Sequence, residues 1–123
     1  MGDLRASDRI HIPGALVVFR KRNKLGFFER FSKPMELYNI TKSGVCFKTD
    51  KKLRRGEPLC VDIIIPGEKT IRLLGSVMWT DEASSRDTMI GAQFAVFGKG
   101  KNYNSIKSLE RLREIQHKYN SPL

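Results

Sequence analysis

Apolar and polar residues alternate along most of the first hundred positions of the chain. The apolar runs are short, rich in β-branched and aromatic residues, and separated by glycine, proline or charged residues, which is typical of β-strands joined by turns. The predicted strands cover residues 15–20, 35–40, 44–49, 59–65, 70–80 and 89–97. Six short strands at this spacing predict a small antiparallel barrel or sandwich.

The alternation also predicts which side chains point into the barrel. In the second predicted strand it places Leu37 and Asn39 on one face and Ile40 on the opposite face. In the third it places Val45 and Phe47 on a common face. Successive side chains of a strand point to opposite faces, so the apolar members of each set are the predicted core.

The period changes after residue 100. Apolar residues then recur every three or four positions, which predicts an amphipathic helix within residues 101–120, at Ile106, Leu109, Leu112, Ile115 and Tyr119. Asn102 or Asn104 is the predicted helix cap. Residues 1–14 show neither period and are predicted to be a flexible arm. The chain is thus predicted to be one domain: an arm (1–14), a barrel (15–100) and a helix (101–120) that covers an open end of the barrel.

The composition is consistent with one domain made of an arm, a barrel and a helix. The chain has 123 residues, of which 40% are hydrophobic, enough for one modest core. No apolar run is long enough to span a membrane, and the polar N-terminus does not resemble a secretory signal, so a cytoplasmic location is expected. Cys46 and Cys60 lie in strand-like runs and are predicted to be buried, reduced thiols. With two histidines, the chain offers no spacing typical of a zinc site.

The net charge narrows the class of partner. With 23 basic and 13 acidic side chains the formal charge is +10, which favours an anionic partner such as nucleic acid, an acidic protein, a membrane surface or a phosphorylated small molecule. Basic clusters lie at 20–24, 51–55 and 99–101, all in predicted loops. They either attract the partner or only keep the protein soluble.

The sequence does not suggest a catalytic site. His11 and His117 lie near opposite ends of the chain, and neither is close in sequence to a convincing serine or cysteine partner. The acidic residues fall in a strand or in a loop, where turn formation is the simpler explanation. A binding module is therefore favoured over an enzyme.

Two groups of residues have side chains suited to a phosphorylated ligand. Arg5 and Arg9 lie in the predicted arm, where two guanidinium groups can close over an anion and donate paired hydrogen bonds to phosphate or to guanine. Asn39, Thr41 and Gly44 lie at the corner between two strands. The Asn39 amide can reach a base edge, and the Thr41 hydroxyl can bind phosphate or tighten the turn. Gly44 permits a positive φ and leaves room for a ligand. Taken alone, all three are also ordinary turn residues.

The order of these residues resembles the PilZ domain family, bacterial receptors for cyclic di-GMP. The family pattern is RxxxR near the N-terminus, followed by [D/N]xSxxG. Arg5 and Arg9 match the first motif, and Asn39 and Gly44 match the ends of the second. Thr41 stands where the family usually has serine.

The resemblance continues through the rest of the chain. GSVMW (75–79) and IGAQF (90–94) look like the paired late strands of PilZ domains, which end in the aromatic residue that anchors the core. The predicted C-terminal helix also falls where PilZ domains have one. The match covers almost the whole chain, and the combined order is far more specific than either motif alone.

The resemblance implies a six-stranded antiparallel β-barrel with a C-terminal helix, no catalytic activity and no cofactor. Cyclic di-GMP would lie on the outer surface of the barrel, with Arg5 and Arg9 folded over it. Asn39, Thr41 and Gly44 would form the facing wall. Ordering of the arm would create a surface for an unidentified downstream protein, so the chain would act as a stand-alone adaptor.

Two departures from the family pattern bear on ligand binding. Thr41 keeps the hydroxyl of serine but adds a methyl group, which restricts χ1 and is expected to crowd the site. Leu4 precedes the arginine pair where an arginine accompanies binding of a stacked ligand dimer in PilZ relatives. One ligand per protein is therefore expected.

Two other functions remain open at this point. The segment 24–31, KLGFFERF, interleaves basic and aromatic residues, as in small barrels that bind single-stranded nucleic acid. The simpler interpretation is that Phe27 and Phe31 pack against the barrel. The second alternative is a ligand-free PilZ-like module whose helix, or whose Phe27 and Phe28, docks a partner protein.

Overall fold

The structure, a computed structural model, describes residues 9–22, 25, 27–82 and 86–119. Six antiparallel strands close into a barrel, and a helix follows them, which confirms the predicted fold class. The elements are β1 (Leu16–Lys21), β2 (Met35–Ile40), β3 (Gly44–Thr49), β4 (Pro58–Ile64), β5 (Ile71–Glu82), β6 (Thr88–Phe94) and α1 (Ile106–Tyr119). Around the barrel the strands lie in the order β1-β2-β3-β6-β5-β4.

Pairing of β1 with β4 closes the barrel and encloses the core. Their register runs from Leu16 opposite Ile64 to Lys21 opposite Leu59, whereas β1 and β2 share a shorter ladder. The rings of Phe19 and Phe47 lie 5.5 Å apart inside the barrel. Closure removes the open edges that would otherwise be available for pairing with another chain.

The segment before β1 is more firmly held than its composition predicts. Ile10 pairs with Ile40 through two backbone hydrogen bonds, of 3.1 and 3.0 Å, and Ile12 is fully buried. His11 Nδ1 lies 2.9 Å from the Tyr38 carbonyl oxygen. The described part of the expected arm, residues 9–14, is therefore packed on the barrel. Residues 1–8 lie outside the described residues.

A β-bulge in β2 changes the predicted alternation. Leu37 pairs with Phe47, but the next pair is Asn39 with Cys46, so Tyr38 is an extra residue without a partner in the β3 ladder. Leu37 and Ile40 are consequently both buried, and Asn39 does not share a face with Leu37. The prediction for β2 was wrong because a bulge reverses the faces of the residues that follow it. The predicted common face of Val45 and Phe47 is confirmed.

The helix covers part of the core but begins differently from the prediction. Leu112 and Ile115 are buried, whereas Ile106 is half-exposed and does not belong to the buried stripe. The cap is neither Asn102 nor Asn104. The backbone N–H of Ser108 donates to Ser105 Oγ at 3.1 Å, the geometry of an N-cap serine.

Asn104 instead joins the loop after β6 to the barrel. Its Oδ1 accepts from the Leu74 N–H at 2.7 Å, and its Nδ2 donates to the carbonyl oxygens of Leu74 and Ala95 at 2.9 and 3.0 Å. The side chain is buried, so it replaces water as the partner of these backbone groups. It therefore fixes the position from which α1 begins.

A carboxylate in the turn after β4 fixes the other end of α1. Glu68 accepts hydrogen bonds from Lys118 Nζ at 2.6 Å and from Arg111 at 3.5 Å. The hydrogen bond from Lys118 is the main reason that the pKa of Glu68 lies below its ordinary value. The charged form of this carboxyl is thus favoured in the folded protein.

The state of the cysteines, the grouping of metal-ligating side chains and the length of apolar helices can also be read from the described residues. Cys46 and Cys60 are both buried and free, as predicted. Within the described ranges, no three histidine, cysteine or acidic side chains are grouped so that they could hold a metal ion. No helix in the same ranges is long and apolar enough to cross a membrane.

Replacing Asn104 should destabilise the fold. Asn104→Ala removes three hydrogen bonds and leaves the Leu74 N–H without its Asn104 acceptor, so we expect a loss of about 3 kcal/mol in the free energy of unfolding. Urea denaturation measures this difference. Asn102→Ala is the matched control, because Asn102 is exposed, and it should change stability by less than about 0.5 kcal/mol. Equal effects of the two substitutions would contradict this role of Asn104.

The contribution of Glu68 should depend on pH. A carboxyl whose pKa is lowered by folding stabilises the protein above its unfolded pKa, and this stabilisation is lost as the pH falls through the folded pKa. At neutral pH, Glu68→Gln should therefore unfold at a lower urea concentration than the wild type. The difference should shrink as the pH falls below the ordinary value of 4.5. A difference that does not change with pH would show that Glu68 contributes by packing alone.

Candidate ligand-binding site

An open cavity of about 530 Å³ lies on the outer surface of the barrel. It is formed over β3 and β6, which pair at the centre of this face, with β2 and β5 on either side. Its lining includes Arg9, Asn39, Thr41 and Gly44. The structure thus brings together four of the five predicted site residues from two distant parts of the sequence. The fifth, Arg5, lies outside the described residues, as does Leu4.

Arg9 reaches the cavity because the next residue is fixed to the barrel. Ile10 is buried and exchanges two backbone hydrogen bonds with Ile40 at the end of β2. Arg9 itself is exposed and makes no side-chain hydrogen bond to the described residues. Its guanidinium donors are therefore available to an anion at the rim of the cavity.

Thr41 shapes the turn between β2 and β3. Its hydroxyl oxygen accepts hydrogen bonds from the backbone N–H groups of Ser43 at 3.0 Å and Gly44 at 3.1 Å, and the Thr41 N–H donates to the Gly44 carbonyl at 2.9 Å. Of the two roles predicted for the hydroxyl, tightening the turn is the one seen in this structure. A hydroxyl with these bonds holds the turn that flanks the cavity.

Gly44 is required by close packing between strands. A Cβ atom at this position would lie 2.5 Å from the Ala92 carbonyl oxygen on β6, too close for any side chain. The positive φ that glycine permits is not used at Gly44; among the described residues the positive-φ glycines are Gly14, Gly56 and Gly67. The absence of a side chain at Gly44 therefore lets β3 and β6 approach each other beneath the cavity.

The bulge in β2 turns Asn39 towards the cavity. Because Tyr38 is the extra residue, Asn39 lies opposite Cys46, which also lines the cavity. The Asn39 amide is partly exposed and forms no hydrogen bond within the described residues. It can therefore donate to and accept from the edge of a base.

A second bulge, in β5, turns Trp79 towards the same cavity. Val77 pairs with Ala92, but the next pair is Trp79 with Gly91, so Met78 is the extra residue. In a regular strand Trp79 would share the inward face of Val77. Instead Val77 is buried and Trp79 is 44% exposed. Bulges commonly redirect side chains beside functional sites, and here two of them flank one cavity.

Gly91 makes room for the indole of Trp79. A Cβ atom at Gly91 would lie 2.2 Å from Trp79 Cε2, so the indole occupies the space that a side chain would need. GSVMW (75–79) was predicted only as part of a strand pair, and Trp79 was not among the predicted site residues. Phe94, not Trp79, is the aromatic residue that enters the core. An exposed indole held against the backbone offers a flat surface for stacking.

The charged side chains that line the cavity are both basic, Arg9 and Lys42. No carboxylate lines it within the described part of the chain. Burial raises the pKa of the Cys46 thiol, and the nearby charge of Arg9 only partly opposes this, so the thiol adds no negative charge at neutral pH. The cavity therefore combines positive charge, a free amide and an aromatic surface.

Solved structures with the same fold were found by structural comparison. The complex of K. pneumonia MrkH with c-di-GMP matches with a TM-score of 0.60 at 17% sequence identity, over 87% of this chain and 47% of that chain. MrkH in its apo state matches with a TM-score of 0.65 at 15% identity, over 90% and 49%. The Bacillus subtilis inhibitor of motility MotI/DgrA matches with a TM-score of 0.61 at 16% identity, over 94% and 52%.

These likenesses establish the fold. The chain spans about half the length of each of these structures. They support the PilZ-like fold that the sequence motifs implied. No family model matches the sequence, and no curated protein does. Membership of the PilZ family stays a prediction based on the motifs.

The role of the Thr41 hydroxyl can be tested by its removal. Thr41→Val keeps the shape but leaves two backbone N–H groups without their acceptor, so we expect a loss of about 1–2 kcal/mol in the free energy of unfolding. Thr41→Ser keeps the hydroxyl and should stay within about 0.5 kcal/mol of the wild type. Urea denaturation of the three proteins makes the comparison. A valine variant as stable as the serine variant would contradict the role of the hydroxyl in the turn.

Proposed function

We propose that the chain is a non-enzymatic receptor for cyclic di-GMP, which binds in the cavity over β3 and β6. The observation that carries this proposal is the convergence of Arg9 with Asn39, Thr41 and Gly44 on one cavity. The cavity volume falls within the range of about 300–1000 Å³ that is usual for small-molecule sites.

The chemistry of the ligand fits the groups at the cavity. Cyclic di-GMP carries two phosphodiester charges and two guanine bases. Arg9, with Arg5 of the preceding segment, would donate paired hydrogen bonds to phosphate oxygens or to guanine O6 and N7. The free amide of Asn39 would contact a guanine edge, and the exposed face of Trp79 would stack on a base. Gly44 adds no side chain to the floor of the cavity, and Gly91 leaves the space that the indole of Trp79 occupies.

The structures with the same fold lend independent support. MrkH has been solved in complex with c-di-GMP and is described as a c-di-GMP-dependent transcription regulatory factor. MotI/DgrA is described as an inhibitor of motility. Both descriptions are of regulators. We propose the same kind of activity for this chain, as an adaptor that changes its surface when the ligand binds.

The adaptor function would use the segment in front of Ile10. Arg5 and Arg9 belong to the segment that leads to the barrel at Ile10, which is pinned to Ile40. Contacts of both arginines with one ligand would fix this segment against the cavity and present a new surface to a downstream protein.

Isothermal titration calorimetry with cyclic di-GMP tests the proposal. The wild type should bind saturably, and Arg9→Ala and Arg5→Ala should each weaken binding at least about ten-fold, because each removes charge-assisted hydrogen bonds. Trp79 is the only tryptophan, so its fluorescence should change on binding in a parallel fluorescence titration with the same ligand.

Arg113→Ala is the matched control, because Arg113 is an exposed arginine on α1 that does not line the cavity. It should bind like the wild type. Heat indistinguishable from buffer for the wild type at high micromolar ligand would contradict the proposal. Equal weakening by the control would show that the two arginines act only through net charge.

A further inference from the structure

Most of the positive charge of the chain lies away from the cavity. Residues 20–33 carry six basic side chains and one acidic one, together with three of the seven phenylalanines. The cavity is lined by only two basic side chains. Two of these cations are paired within the protein, Lys21 with Glu57 at 3.3 Å and Lys33 with Asp50 at 3.2 Å. The charge of the segment that is open to a second anionic partner therefore lies on Arg20 and Arg30.

Part of this segment runs back along β1 and covers it with aromatic rings. The Glu29 N–H donates to the Lys21 carbonyl at 2.7 Å, and the Ser32 N–H donates to the Phe19 carbonyl at 2.6 Å. Phe28 and Phe31 are thereby held beside the outward-facing side chain of Arg20. Phe27 is 68% exposed, so the prediction that it packs against the barrel was wrong. Phe31 is 39% exposed but does contact the barrel, through Arg20 of β1 and Arg72 of β5.

The rings and guanidinium groups form a ladder, which we define as Phe28, Arg20, Phe31 and Arg72. The Arg20 Cζ lies 4.8 Å from the centroid of Phe28 and 4.6 Å from that of Phe31, and the Arg72 Cζ lies 5.4 Å from that of Phe31. Asp62 holds Arg72 through two hydrogen bonds of 2.8 and 3.0 Å. Arg72 is therefore held beside Phe31 before any partner arrives.

The charges of the ladder are only partly balanced within the protein. Asp62 neutralises Arg72, but Arg20 and the neighbouring Arg30 form no ion pair with an acidic side chain in the described ranges. Arg20 Nε is buried and has no hydrogen-bond partner among the same residues. The surface thus combines uncompensated positive charge with a partly exposed phenyl ring.

We propose that the ladder binds single-stranded nucleic acid, at a site distinct from the cavity. Phosphates would contact Arg20 and Arg30, and an unpaired base would stack on the exposed part of the Phe31 ring. Stacking on aromatic rings beside a basic groove is how proteins bind single strands without sequence preference. An acidic protein could use the charge but has no need of a planar stacking surface, and a duplex keeps its bases covered.

Fluorescence anisotropy with the full chain and a labelled oligothymidylate of about 20 nucleotides tests this proposal. Binding should be saturable at about 50 mM salt and should weaken as the salt rises. Phe31→Ala should weaken binding about ten-fold without changing the salt dependence, because it removes a stacking surface and no charge. Phe31→Trp should bind at least as tightly as the wild type. Arg30→Gln should lower the slope of log K against log salt by about 0.7.

Matched controls and competitors make each outcome decisive. Tyr103→Ala and Arg113→Gln change a half-exposed ring and an exposed arginine outside the ladder, and both should bind like the wild type. The proposal is overturned if Phe31→Ala binds like the wild type. It is also overturned if duplex DNA or polyglutamate of similar length competes as well as unlabelled single strand.

The test separates this site from the cavity. Displacement of the strand by cyclic di-GMP, together with its loss in Arg9→Ala, would place the strand in the cavity and overturn the proposal. If the chain binds the oligothymidylate but shows no binding heat with cyclic di-GMP, the proposed receptor function is contradicted and the proposed nucleic-acid site is supported.

Discussion

Side chains in a β-strand alternate between two faces, and one extra residue reverses the faces of all that follow. The cavity of this protein depends on that constraint at two places. Tyr38 and Met78 are the extra residues of β2 and β5, and each precedes a side chain that lines the cavity, Asn39 and Trp79. Without the bulges the pleat would carry these two side chains towards the core. The inward residues Ile40 and Val77 keep the core continuous across the same bulges.

The floor between the bulges is equally constrained. Gly44 and Gly91 lie on the central strands, and a side chain at either position would collide, with the Ala92 carbonyl in one case and with the Trp79 ring in the other. The close approach of the β6 backbone thus explains Gly44, and the position of the Trp79 indole explains Gly91. A ligand that lies on this surface would meet peptide groups and an aromatic face, with Arg9 at the rim. The Ile10–Ile40 pairing joins that rim to β2, so residue 9 is held beside the end of the strand that carries Asn39.

The barrel presents two chemically different faces. The cavity lies over β3 and β6, whereas the ladder lies on the outer side of β1 and β5, which flank β4. The cavity has few charges and small residues on its floor, which suits a compact ligand. The ladder has phenyl rings in contact with guanidinium groups, with the charges of Arg20 and Arg30 on the same segment, which suits an extended polyanion.

The sequence by itself determined the elements and the chemistry of the candidate residues. Periods of two and of three to four residues reflect local backbone geometry, so the six strands and the helix were predicted within a few positions. The motif order also led to Arg9, Asn39, Thr41 and Gly44, which the fold gathers at one cavity.

Only the tertiary structure decided which face each residue occupies. The bulges, the pairing of Ile10, and the burial of Asn104 in place of a helix-capping role all depend on partners that are distant in sequence. The place of Trp79 in the cavity lining was missed for the same reason, because an indole in a strand is expected in the core until its neighbours across the sheet are known. A periodic pattern carries no information about a single inserted residue, because a bulge depends on pairing with a strand that lies elsewhere in the chain.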